Sequence, residues 1–197
     1  MQFKDKTTEA SSSRIALIDE VSSNMAATQP SAYHNFMDYQ SPVQVPVQGV
    51  IVPQEVYRNA QPLPQANPPV RFYVQNVLGI RLTDALQGNF AHLHGAGVAV
   101  PLTQANRISC RINWPGYEAW SDGMHIIDNN AQPYTLARLA QTIARTIRKF
   151  FNDNAHVATQ EPRLDWAVNN IPFESLYLLE LRHVSTGSWQ PVISRQL

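Results

Sequence analysis

One cysteine, Cys110, occurs in 197 residues, so no internal disulfide staples the fold and the composition fits a reducing compartment. Neither sign of charge prevails: 15 Lys and Arg balance 15 Asp and Glu. A neutral chain has no global field to steer it onto nucleic acid or an anionic membrane. No apolar run reaches the roughly eighteen residues that a bilayer-spanning helix needs. The first residues, MQFKDKTTEASSS, lack the apolar core of a secretory signal. No cluster of Lys and Arg reads as a nuclear-localisation patch. The expectation is an intracellular protein, cytoplasmic or nuclear. HExxH, CxxC and the complete dinucleotide fingerprint are all missing, and no internal repeat is visible, so no cofactor is implied.

Proline, by contrast, is plentiful, with 14 in the chain. Half of them (Pro42, Pro46, Pro53, Pro62, Pro64, Pro68 and Pro69) crowd into one short stretch. Proline removes backbone donors and breaks helices, so residues 1–69, rich in Ser, Gln, Asn and Pro, read as an irregular, flexible leader. Arg14 to Val21 offers a marginal helical turn or two, too short to be stable alone. Val43 to Val52 alternates like an edge strand interrupted by Pro46. Such a leader is either solvated or orders by docking on a partner or on its own domain.

From Val70 to Leu197 the pattern becomes that of one domain. Val70 to Leu78 is β-branched and aromatic, with Val70, Phe72 and Val74 on one face. Leu82 to Leu86 reads as a short helix with Thr83 as cap and Gly88 as stop. Arg107 to Trp114 alternates cleanly: Ile108, Cys110, Ile112 and Trp114 face one way, Arg107, Ser109, Arg111 and Asn113 the other. Met124 to Ile127 gives a second short strand. The dominant element is a helix from Thr135 to Asn152, capped by Thr135. Leu136, Leu139, Ala140, Ile143, Ile147 and Phe150 recur on one face. Leu176 to Val184 and Ser188 to Ile193 form a closing hairpin around Ser185-Thr186-Gly187, and Pro191 places its last strand at an edge. The fold class is therefore α+β, a largely antiparallel sheet with one long helix across one face.

Few residues converge on chemistry. His92 and His94 share a face if extended, and with His125, His156 or His183 they would make a metal site. Gly95-Ala96-Gly97 lacks the third glycine and following helix of a phosphate cradle. Cys110, on the apolar face of a strand, is expected to be inert. Asp84, Asp122, Asp128, Asp165 and Glu174 are scattered, with no spacing that pairs two for acid–base work. Arg138, Arg145, Arg148 and Lys149 make a cationic helix face that can contact phosphates, with Arg107 and Arg111 as further candidates; a solvated face is the commoner role of such a stripe. Trp114, Tyr117 and Trp120 surround a Pro-Gly turn, and Trp189 lies in the terminal hairpin. Packed inward they are core; exposed they are an interface.

Four pieces together, LTDALQGNF (Leu82 to Phe90), INWPGYEAW (Ile112 to Trp120), TLARLAQTIARTIRKFF (Thr135 to Phe151) and LRHVSTGSWQP (Leu181 to Pro191), resemble an uncharacterised protein family of mushroom-forming fungi. That family carries a WPGY-x-x-W element before a helix and closes with a His-Val-Ser-x-Gly-x-Trp-Gln hairpin. The resemblance covers Val70 to the C-terminus. It implies a single domain there, and it implies no activity, cofactor or catalytic residue.

The expectation is a non-catalytic protein-interaction or regulatory module that binds a protein partner through Trp114, Tyr117, Trp120 and Trp189. The alternative is a nucleic-acid-associated protein using Arg138, Arg145, Arg148 and Lys149. A metal-dependent enzyme around His92 and His94 is weaker still. A closing edge strand containing Val192 and Ile193 would also allow pairing with a second copy, within the limit Pro191 sets.

Overall fold

A computed structural model describes residues 49–58, 66–160 and 164–197. The expected helical turn at Arg14 to Val21, and Pro42, Pro46, Pro62 and Pro64 of the leader, lie outside the described residues. The strands are β1 (Val50–Ile51), β2 (Val70–Arg71), β3 (Tyr73–Val74), β4 (Val77–Leu78), β5 (Ile80–Arg81), β6 (Arg107–Ile112), β7 (Trp120–His125), β8 (Leu176–Ser185) and β9 (Ser188–Arg195). Among the described residues, two α-helices, α1 (Leu82–Gln87) and α2 (Leu136–Asn154), and three 3₁₀ turns complete the α+β fold.

Helix α2 is the organising element. Thr135 caps it, its hydroxyl accepting from the Arg138 N–H at 3.3 Å. At the other end the Asn154 side chain donates to the Phe150 carbonyl at 2.9 Å, reinforcing the last turn. All six residues of the expected stripe are buried to 1% exposure or less, and Ala144 and Phe151 widen it. The stripe joins the inward residues of the sheet, Ile108, Cys110, Ile112, Leu176, Leu178, Leu181, Trp189 and Ile193, in one core. Fully burying each Leu or Ile contributes about 1.5–3 kcal/mol, which is why the helix holds its place.

The main sheet runs β2-β8-β9-β6-β7, with β5 also on β8 and β1 also on β9. Every pairing is antiparallel except β6 with β9. Strand β9 is therefore central, and its expected position at an edge is corrected. The proline is accommodated because β9 changes neighbours beside it. β6 pairs with Ser188 and Trp189, and β1 pairs with Ser194 and Arg195. Pro191 falls in the gap, where its missing N–H leaves no ladder bond unmade and its carbonyl accepts from the Gln54 side chain at 2.8 Å. Ile193 is fully buried, so the edge pairing with a second copy expected through Val192 and Ile193 is corrected with it.

Three further expectations change. Val70 to Leu78 is not one strand: Gln75 and Asn76 adopt φ of 51° and 64°, folding β3 back on β4 as a tight hairpin. Helix α1 follows β5 directly, so its N-cap is Arg81, without a side-chain cap bond, and Thr83 lies inside the helix. Gly88 ends it as expected, with φ 78°. Finally, residues 49–58, read as leader, are bound to the domain. β1 extends the sheet, Val52 is 3% exposed, and the Val52 N–H donates to the Ile193 carbonyl at 2.8 Å.

Candidate functional site

The WPGY-x-x-W stretch divides in two. Trp114 continues the inward side of β6 and is 1% exposed. Its indole N–H donates to the Trp166 carbonyl at 2.7 Å, and its ring meets Phe150 and Phe151 at 5.9 and 5.1 Å. Trp189 is equally buried, stacked on His183 with ring centroids 4.7 Å apart. Both are removed from the expected interaction surface: alternation on β6 and β9 turns them into the core under α2, where an indole buries its whole area. Tyr117 and Trp120 are only half-buried. Both rest edge-on against Phe150, at 6.1 and 5.7 Å, and the Tyr117 hydroxyl accepts from the Val168 N–H at 3.0 Å.

Trp120 begins β7, the last strand of the main sheet, and β7 pairs only with β6. Its outer row of backbone groups is unpaired by any strand among the described residues. Trp120, Asp122 and Met124 alternate with Ser121, Gly123 and His125 along it. The Asp122 carboxylate accepts from Lys149 Nζ at 3.0 Å, and that ammonium also lies 5.5 Å from the Trp120 ring. At Gly123 the bare backbone lets the Arg107 side chain cross: an added Cβ would lie 2.7 Å from Arg107 Nη2. The result is a sheet edge without a strand partner among the described residues, carrying a half-buried indole and an ion pair.

The cationic helix face is largely engaged. Lys149 holds Asp122, and the Arg148 guanidinium lies 3.6 Å from the Phe173 ring centroid. Arg138 leans over Tyr134 at 5.4 Å, while Arg145 is exposed and has no partner among the described residues. Of the other expected cations, Arg107 reaches the Gly123 carbonyl at 3.4 Å and Arg111 covers the Tyr57 ring at 4.4 Å. The four-residue phosphate contact is thus reduced to Arg138 and Arg145, because packing takes the other two.

No group of three or more His, Cys, Asp or Glu side chains is placed to hold a metal among the described residues. His92 and His94 are exposed in turns on either side of buried Leu93, rather than together on a strand. His183 instead accepts from the Asn67 N–H through Nδ1 at 3.1 Å, and burial lowers its pKa. Gly95 turns with φ 70°, but residues 98–100 bond to Tyr134, Thr135 and Leu136 instead of opening a helix. Burial pushes the Cys110 thiol up to about 12, with Asp122 adding to it, so it stays protonated and unreactive. No helix among the described residues is long and apolar enough to cross a membrane.

Sequence reasoning missed β7 as the sheet's open edge. Only Met124 to Ile127 looked like a strand, since Ser121, Asp122 and Gly123 are poor strand formers. The missed signal is Trp120, a large β-former two residues before Asp122 and four before Met124, on the same face. Fold and surface together define an α+β domain with an aromatic-flanked sheet edge. Comparison of the chain with known protein families, with curated proteins and with solved structures finds no match.

Proposed function

We propose that this chain is a non-catalytic interaction module that takes an extended peptide segment of a protein partner onto the open edge of β7. The observation that carries the reading is that no strand among the described residues pairs the outer row of β7, where side chains engage only Gly123, with Trp120 half-buried at its head. A docking strand gains main-chain hydrogen bonds from such an edge, and side chains beside it supply selectivity. Trp120 and Tyr117 offer stiff amphipathic anchors, and Asp122 with Lys149 favours a partner whose own charges alternate. The nucleic-acid reading keeps only Arg138, which leans over Tyr134, and Arg145 of its four helix cations, too few for more than weak, salt-dependent binding.

The test is selection of a random peptide library on the immobilised protein, followed by affinity measurement on Trp120→Ala and on Arg138→Glu with Arg145→Glu. The reading predicts enriched peptides that bind the double charge variant normally and Trp120→Ala at least about tenfold more weakly. Failure to enrich any peptide, or affinity indifferent to Trp120, contradicts it. Salt-dependent retention of single-stranded DNA or RNA, lost in the double charge variant, would favour the alternative instead.

A further inference from the structure

A concavity lies at the opposite end of the sheet from β7. It is enclosed by the β3–β4 hairpin, the β5–α1 corner and the turn through Asn89 to Leu93, and measures about 270 Å³. Its walls are tied together. The His94 N–H donates to the Tyr73 carbonyl at 2.8 Å, the Gln75 N–H to the His92 carbonyl at 3.4 Å, and Leu93 bridges to Val74. The Asn89 N–H donates to the Asp84 carbonyl at 2.9 Å and closes the turn after α1. A cleft whose walls are bonded to one another keeps its shape without a ligand, which lowers the cost of filling it.

Two opposite charges stand at this cleft. Arg81, exposed at the rim, turns one edge of its guanidinium to Tyr177, donating from Nε and Nη2 to the phenol oxygen at 3.2 and 2.9 Å. The phenol in turn donates to the Gln196 side chain at 2.8 Å, so the arginine is held in one orientation. The Nη1/Nη2 end of the fork has no partner among the described residues, and that end matches a carboxylate in two-point geometry. Asp84, one turn of chain further on, makes no direct hydrogen bond or ion pair among the described residues, but its charge adds to the Tyr177 bond in raising the Arg81 pKa. Val74, Val77 and Leu93 add an apolar wall.

We propose that this cleft binds a small zwitterion, an α-amino acid with an apolar side chain. Its carboxylate sits on the free end of the Arg81 fork, its ammonium on Asp84, and its side chain against Val74, Val77 and Leu93. A simple anion would be attracted by Arg81 and repelled by Asp84; a simple cation would meet the reverse. A ligand carrying both charges satisfies both groups at once, and this selects the class. The volume lies just below the roughly 300 Å³ at which drug-sized sites begin, which leaves room for a single amino acid.

The test is a ¹⁵N NMR titration of the full chain, including the arginine Nε–H signals, with L-leucine, L-leucinamide and 4-methylpentanoate. The proposal predicts saturable shifts with leucine at Arg81 Nε–H, Asn89 and His92. The amide, which lacks the carboxylate, and the acid, which lacks the ammonium, bind at least about tenfold more weakly. Asp84 is partly exposed, so Asp84→Asn keeps the fold, shown by unchanged spectral dispersion. It should weaken leucine about tenfold and leave 4-methylpentanoate binding as well as leucine does. No saturable shift in the wild type up to about 20 mM leucine overturns the proposal. So does equal leucine affinity in wild type and Asp84→Asn, or binding of 4-methylpentanoate in preference to leucine by the wild type.

Discussion

Trp114 and Trp120 stand six residues apart in one short sequence, yet they have opposite jobs. Trp114 is sealed between Phe150, Phe151 and Trp166, with its N–H satisfied by a carbonyl. Removing it leaves a cavity that a close-packed core cannot collapse. Trp114→Ala is expected to cost about 3–5 kcal/mol of stability in urea unfolding. Trp120→Ala removes a ring that is only partly buried and is expected to cost below about 1.5 kcal/mol while weakening peptide binding at least about tenfold. Equal destabilisation by the two substitutions would contradict this division of roles. At this scale the sequence is legible only in part. Strict alternation on β6 marks Trp114 as inward, but the turn at Pro115-Gly116 breaks the period, and nothing local then orients Tyr117 or Trp120.

Among the elements, β1 shows how a short segment can be fixed by backbone approach. Gly49 has φ 72°, and a Cβ there would lie 2.1 Å from the Arg195 carbonyl oxygen. Neither the conformation nor the space admits a side chain. Beyond it, Gln54, Glu55 and Tyr57 bond to Pro191, Asn113 and Gln190, carrying the strap across β9 to the end of β6. Gly49→Ala is therefore expected to lift β1 from β9. Amide exchange at Val52 should then quicken by at least about tenfold, with exchange in α2 unchanged. Unaltered protection at Val52 would show that the strap is held otherwise. Helix α2 was readable because a 3.6-residue period needs no knowledge of its neighbours. The centrality of β9 was not, since pairing partners are chosen by tertiary packing and Pro191 gives the opposite local cue. The β3–β4 turn was hidden because Gln-Asn is a weaker turn signal than Asn-Gly.

For the molecule as a whole, one helix covers one face of a mixed sheet, and the two ends of that sheet differ. One end is folded back into a hairpin and a charged cleft; the other ends in the bare edge of β7. Edge strands are usually blunted because free backbone groups recruit other chains. On the proposed reading, Asp122, Lys149 and Gly123 limit indiscriminate pairing while Trp120 favours a chosen one. The most direct measurement is hydrogen exchange across the whole chain, with and without a selected peptide. The account predicts new protection concentrated in residues 120–125, with the amides of β8 and of the cleft at Arg81 unchanged. Protection on the cationic side of α2 or around the cleft, with β7 exchanging as before, would contradict it.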